Sequence, residues 1–274
     1  RLLAELLRHD SGPLRRAARR ALDGRLDADE AVLLVPALEH RATDVRRNAV
    51  ELLEGLDGPL PTQLLIDRVT DRSSSVSQIA IRALRSNEDE TIDFELLRRV
   101  MEGGEILRRE ALLLIAIVER EDRLVRRVLQ PQHAPPLVDA LDSPNELARC
   151  ASAVALAGIG FRAPQSEATA WMDGPVPSTL VGVAAGFTFF DGFELVRDPA
   201  LRRLRQITGI SHGSNGPAWA RWWSENKAGF RASRAVIDVT PEDELQVIVE
   251  VRDDAVSRPF ALVGPALARN DEWY

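Results

Sequence analysis

The stretch "LLVPALEHRATDVRRNAVELLEGL" (residues 33–56) decides how the chain is read. Its second half carries Val45, Ala49, Leu52 and Leu53 at offsets of 0, 4, 7 and 8, which places them on one face of an α-helix. The same offsets return in "PLRRAARRALDGR" (13–25), "SVSQIAIRALRSN" (75–87), "ILRREALLLIAIV" (106–118) and "ELARCASAVALAG" (146–158). The first column is Leu14, Val45, Val76, Leu107 and Leu147, with three intervals of 31 residues and a fourth of 40. The second column is alanine throughout: Ala18, Ala49, Ala80, Ala111 and Ala151. An alanine there lets a neighbouring helix approach closely. Upstream, Leu3, Leu34, Leu65 and Leu96 each precede a second aliphatic residue by four positions, at Leu7, Leu38, Val69 and Val100. Each unit therefore predicts a helix, a short turn and a second helix.

The Asp44-Val45-Arg46-Arg47 turn carries a further mark. Its arginine pair recurs at Arg15/Arg16 and Arg108/Arg109, survives singly at Arg149 and becomes Ser77/Gln78 in the third unit. This pattern resembles the HEAT-repeat family, in particular the short bacterial HEAT-like repeats also seen in phycobilisome lyases. The resemblance spans residues 1–160 and returns less clearly at 190–227. It implies a mainly α fold, a right-handed α-solenoid of antiparallel helix pairs. Tetratricopeptide repeats are the nearest rival, but they have a period of about 34 residues and their Trp, Gly, Tyr and Pro marks are missing here. The arginine rows admit an anion-binding reading. The structural one is favoured, in which turn acids and arginines bridge repeats and satisfy helix ends.

The interval of 40 residues is expected to hold a loop at "LQPQHAPP" (129–136), with His133 exposed in it. Residues 1–161 would form five helix pairs, and 162–178, rich in Pro, Ser and Gly, a linker or long loop. Trp171 would pin that loop to the stack or form part of a docking segment. A divergent terminal unit follows over 179–230, with helices at 179–190 and 198–209 and a stop at Gly209. Pro217 then opens a helix bearing Trp219, Trp222 and Trp223 on one face, continued by Phe230. These tryptophans are read as a structural cap over the last repeat. Residues 231–274 carry nine acids against five arginines, and "AVIDV" (235–239) with "LQVIVEV" (245–251) predicts a short C-terminal β-hairpin whose apolar face is Leu245, Val247, Val249 and Val251.

A net charge of −7 lacks the basic footprint of a nucleic-acid binder, so no nucleic-acid partner is expected. Cys150 is the only cysteine and the four histidines are scattered, so no metal site is expected. The longest apolar run, 179–190, is too short for a transmembrane segment. Phosphate-binding loops, dinucleotide fingerprints and nucleophile elbows are missing, so no catalytic residue and no cofactor are assigned. The expected function is a non-enzymatic scaffold or subunit of a larger assembly that binds protein partners. Arg47, Asn48 and Glu51 would stand on its exposed surface, although a merely solvated face fits these residues equally well. An enzyme of the repeat class, bilin-lyase-like or acting on alkylated DNA, is the alternative. The expected location is cytoplasmic, although an opening at Arg1 leaves room for a removed signal.

Overall fold

The computed structural model describes residues 2–124, 127–160, 163, 165–187 and 190–232; for 165–167, 234–239, 245–251 and 258–262 it describes the backbone only. The protein is mainly helical, and no described residue from 2 to 232 lies in a strand. Helices α1 (Leu2–Leu6) and α2 (Gly12–Leu22) form the first pair. A 3-10 segment, Ala28–Leu34, runs into α3 (Val35–Leu38) ahead of α4 (Thr43–Leu53). Then come α5 (Pro59–Val69) with α6 (Ser74–Arg85), and α7 (Thr91–Glu102) with α8 (Arg108–Leu124). Beyond lie α9 (Ala134–Asp139), α10 (Glu146–Gly160), α11 (Gln165–Met172), α12 (Pro175–Ala185), α13 (Phe193–Thr208) and α14 (Gly216–Asn226). Partners within each pair pack on one another, and α2, α4, α6, α8, α10 and α13 touch in succession.

The alanine column makes that succession possible. Ala18, Ala49, Ala80 and Ala111 are each no more than 2 % exposed, so neighbouring helices meet at their narrowest point. Leu38, Val69 and Val100 are equally buried from the other side. The first column departs from expectation twice. Leu14 is 43 % exposed, because among the described residues no earlier helix pair lies against it. Leu107 is 52 % exposed because α8 begins only at Arg108; the Leu107 amide donates to the Glu110 carboxylate at 3.2 Å, and Ile106 fills the core instead.

Arginines close the helix ends. Arg46 Nη1 donates to the carbonyls of His40 (2.9 Å) and Arg41 (3.0 Å), while Nε and Nη2 grip Asp71 at 2.8 and 2.9 Å. Arg15 repeats this with His9 (2.7 Å), Asp10 (2.8 Å) and Asp44 (2.5 Å). Ser77 keeps the shortened version, donating to the Asp71 carbonyl at 3.2 Å. In each case the donor is the fourth residue of its helix and the carbonyl lies six residues earlier. Arg149 also makes that bond, to the Ser143 carbonyl at 2.5 Å, and is likewise fourth in α10. The gapless alignment of 146–158 is therefore off by one. That helix is so rich in alanine that apolar columns fit it in either register.

Several segments read as loops are helical. Pro135 and Pro136 occupy the first turn of α9, and Pro175 and Pro177 that of α12, where a missing N–H costs no hydrogen bond. The expected linker 162–178 thus contains α11 and the start of α12. Trp171 and Met172 are buried in it, and Met172 lies where a Cβ on Gly160 would stand. The helix expected at 179–190 spans Pro175–Ala185 and stops at Gly186, whose φ of 69° suits a C-terminal glycine. The second helix begins at Phe193 rather than 198, running through Pro199, and ends at Gly209 as expected. The face at Leu245, Val247, Val249 and Val251 lies outside the residues whose side chains are described.

Arg120, 1 % exposed, is the most buried charge among the described residues. It donates to the carbonyls of Leu84, Asn87 (2.7 Å) and Asp89 (2.9 Å) and to Asp93 Oδ1 (2.5 Å), so α8 secures the turn between α6 and α7. Arg120→Met removes the donor shared by three carbonyls and a buried carboxylate. Urea denaturation is expected to show a loss of about 3–5 kcal/mol. A loss within the range of surface substitutions, under ~0.5 kcal/mol, would contradict this role.

Candidate partner-binding groove

The two arginines of each pair go to different places. A helix that starts at the turn turns its fourth residue inward and its fifth outward. Arg15 and Arg46 are held by backbone carbonyls, whereas Arg16 and Arg47 are exposed and make no ion pair among the described residues. The pair at Arg108/Arg109 also divides, although α8 begins at Arg108 itself: Arg108 reaches the Asp71 carbonyl (3.1 Å) and Asp191 (3.0 Å), and Arg109 is exposed.

Between α2 and α4 lies an open groove of about 260 Å³. It brings together the three expected surface residues, Arg47, Asn48 and Glu51, with Arg15, Arg16, Arg19 and Asp44. Two of its arginines are compensated within the groove, Arg15 by Asp44 at 2.5 Å and Arg19 by Glu51 at 3.0 Å. Arg16 Nη1 folds over the first turn of α2, 3.4 Å from where a Cβ on Gly12 would stand.

One expectation needs correcting. Asn48 is 9 % exposed and belongs to the groove floor, not to an exposed surface. The cause is that α4 has α2, α3 and α6 packed against it, so little of its circumference meets solvent. Arg47 is exposed as expected and Glu51 is half-buried. By sequence pattern Arg16 belongs with the bridging arginines and Arg19 does not stand out. The available signal was that a turn needs one arginine, so a second at the next position is surplus to it.

The other singled-out residues lie elsewhere. Trp219 is fully buried, and its Nε1 donates to the Gly213 carbonyl at 3.1 Å. Trp222 and Trp223 are only half-buried; Trp222 meets Trp219 edge-on at 5.9 Å, and Phe230 packs on both at 5.8 and 5.3 Å. Helix α14 packs on α12, and Gly216 permits this, since a Cβ there would fall 2.9 Å from the Ala184 carbonyl oxygen. His133 is half-buried, not exposed: its Nδ1 accepts the Gln130 amide at 3.0 Å, and burial lowers its pKa. Among the described residues no group of His, Cys, Asp or Glu is placed to hold a metal ion, and no helix is long and apolar enough to cross a membrane.

A comparison with models of known protein families finds no match, and a comparison with curated proteins finds none either.

Two measurements check this account. Arg46→Ala is expected to destabilise by about 3–5 kcal/mol, because it strips a buried carboxylate of its cation. Arg16→Ala and Arg47→Ala should each stay within ~0.5 kcal/mol of wild type in the same denaturation experiment. Equal costs for Arg46 and Arg47 would undo the distinction. Second, burial pushes the Cys150 thiol up to about 12. The native protein at pH 8 should therefore resist iodoacetamide and react after unfolding; rapid native labelling would contradict the buried placement.

Proposed function

We propose that the chain is a non-enzymatic protein–protein interaction scaffold, or a subunit of a larger assembly, built as a right-handed α-solenoid of HEAT-like helix pairs. The observation that carries this reading is the unbroken succession of α2, α4, α6, α8, α10 and α13, bridged at its start by Arg15–Asp44 and Arg46–Asp71. Stacked repeats of this kind offer long surfaces that engage macromolecules through many shallow contacts. The surface residues assigned to that role are Arg47 and Glu51, with Asn48 beneath them. Proteins, rather than nucleic acids, are the expected partners of a chain with net charge −7. Neither a cofactor nor a metal enters this reading, and a cytoplasmic site of action belongs to the same proposal.

The role proposed for α14 is to close the array, as the terminal unit of a repeat stack must cover its neighbour's apolar flank. Its support is the burial of Trp219 and the ring cluster behind it. For 231–274 we propose an antiparallel β unit. The backbone register that pairs Val236 with Ile248, Ile237 with Val247 and Val249 with Phe260 supports it.

Affinity capture with the intact protein, followed by mass spectrometry, is expected to enrich a specific protein. Finding none, together with turnover of a small molecule, would defeat the scaffold reading. Capping predicts that Trp219→Ala costs about 3–5 kcal/mol of stability, while partner capture by the folded fraction persists. An unchanged melting temperature with lost capture would make Trp219 a binding residue instead.

A further inference from the structure

We infer that the groove between α2 and α4 docks an acidic segment of a partner protein through Arg16 and Arg47. This rests on the scaffold reading and names the chemistry of its partner. Four guanidinium groups line the groove against two carboxylates. Asp44 and Glu51 are each already bonded to one arginine, at 2.5 and 3.0 Å, which leaves the charges of Arg16 and Arg47 uncompensated. The bonded pairs also tie α2 to α4, so the two remaining guanidiniums flank one groove. A planar guanidinium presents a fork of N–H donors that matches a carboxylate two bonds at a time. Two such forks in one open groove suit an extended peptide carrying at least two Asp or Glu side chains.

A nucleic-acid backbone fits less well. Its phosphates repeat along the whole strand, whereas the positive row ends after one groove, where Ser77 and Gln78 replace the arginine pair. A carboxylate-bearing segment meets only the local charge, because repulsion from the rest of the protein is screened over about 10 Å at ordinary ionic strength.

The test uses the intact protein and a fluorescein-labelled octapeptide of alternating Asp and Glu, followed by anisotropy at low salt. Wild type should bind it. The Arg16→Glu/Arg47→Glu double variant should weaken binding about tenfold or more, since two attractions become repulsions. Arg16→Gln with Arg47→Gln should weaken it less, which keeps the test decisive if the charge reversal unfolds the protein. Arg205→Glu, an exposed position on α13, makes the same change in charge per site and should leave binding unaltered. No binding by wild type, equal weakening by Arg205→Glu, or tighter binding of a single-stranded DNA octamer would each overturn the inference. A partner captured equally by wild type and the double variant would retain the scaffold but remove this groove from it. Peptide binding without any captured partner would do the reverse.

Discussion

Helix ends leave carbonyl oxygens with no intrahelical amide to bond, and everything else here depends on how those oxygens are satisfied. The donor is an arginine at the fourth position of the following helix. Arg15 and Arg46 each reach back six and five residues to two carbonyls and forward, with the remaining N–H groups, to an acid of the next unit. One side chain thus ends one helix, starts the next and fixes the distance between units. Ser77 can close only the backbone part of this arrangement, and Arg108 from the following unit supplies a second donor to the same Asp71 carbonyl. Arg120 does the equivalent work between α6 and α7 from within the core.

The same geometry sorts the surface. Successive residues on a helix are rotated by about 100°, so when the fourth residue points at the helix end the fifth points outward. Arg46 is therefore consumed by the fold and Arg47 is free. Because α2 and α4 lie side by side, Arg16 and Arg47 come into one groove, along with Arg15–Asp44 and Arg19–Glu51. A row of similar residues in the sequence becomes two populations with different work. A second buried charge shows how closely helices are fitted: Arg203 sits against Gly158, where a Cβ would come within 3.2 Å of its guanidinium, and bonds Asp122 at 2.8 Å. Its burial lowers its pKa.

Where sequence reading went astray, local composition pointed one way and position in the helix another. Prolines at 135, 136, 175 and 177 suggest helix breaks by composition, yet each sits in a first turn. A proline costs a hydrogen bond only where a preceding carbonyl expects its N–H, and first-turn positions have none. Pro36 likewise sits in the first turn of its helix, where the 3-10 segment Ala28–Leu34 gives way to the four residues of α3. Trp219, Trp222 and Trp223 share a face as their spacing required, but spacing could not rank them. Trp219 is buried because Gly216 brings the start of α14 onto the end of α12, which no periodicity encodes.

Periodicity alone determined that the chain is mainly helical and where most helices of the first five units lie, because a helical face repeats every three to four residues regardless of context. It also determined that Ala18, Ala49, Ala80 and Ala111 face neighbours, since small residues recurring at one position have no other common cause. Only the tertiary structure decided the register of α10, the burial of Asn48, and the division of Arg15 from Arg16 and of Arg46 from Arg47. Each depends on which helices lie alongside and on bonds to carbonyls in a preceding turn, and a list of residue types contains neither.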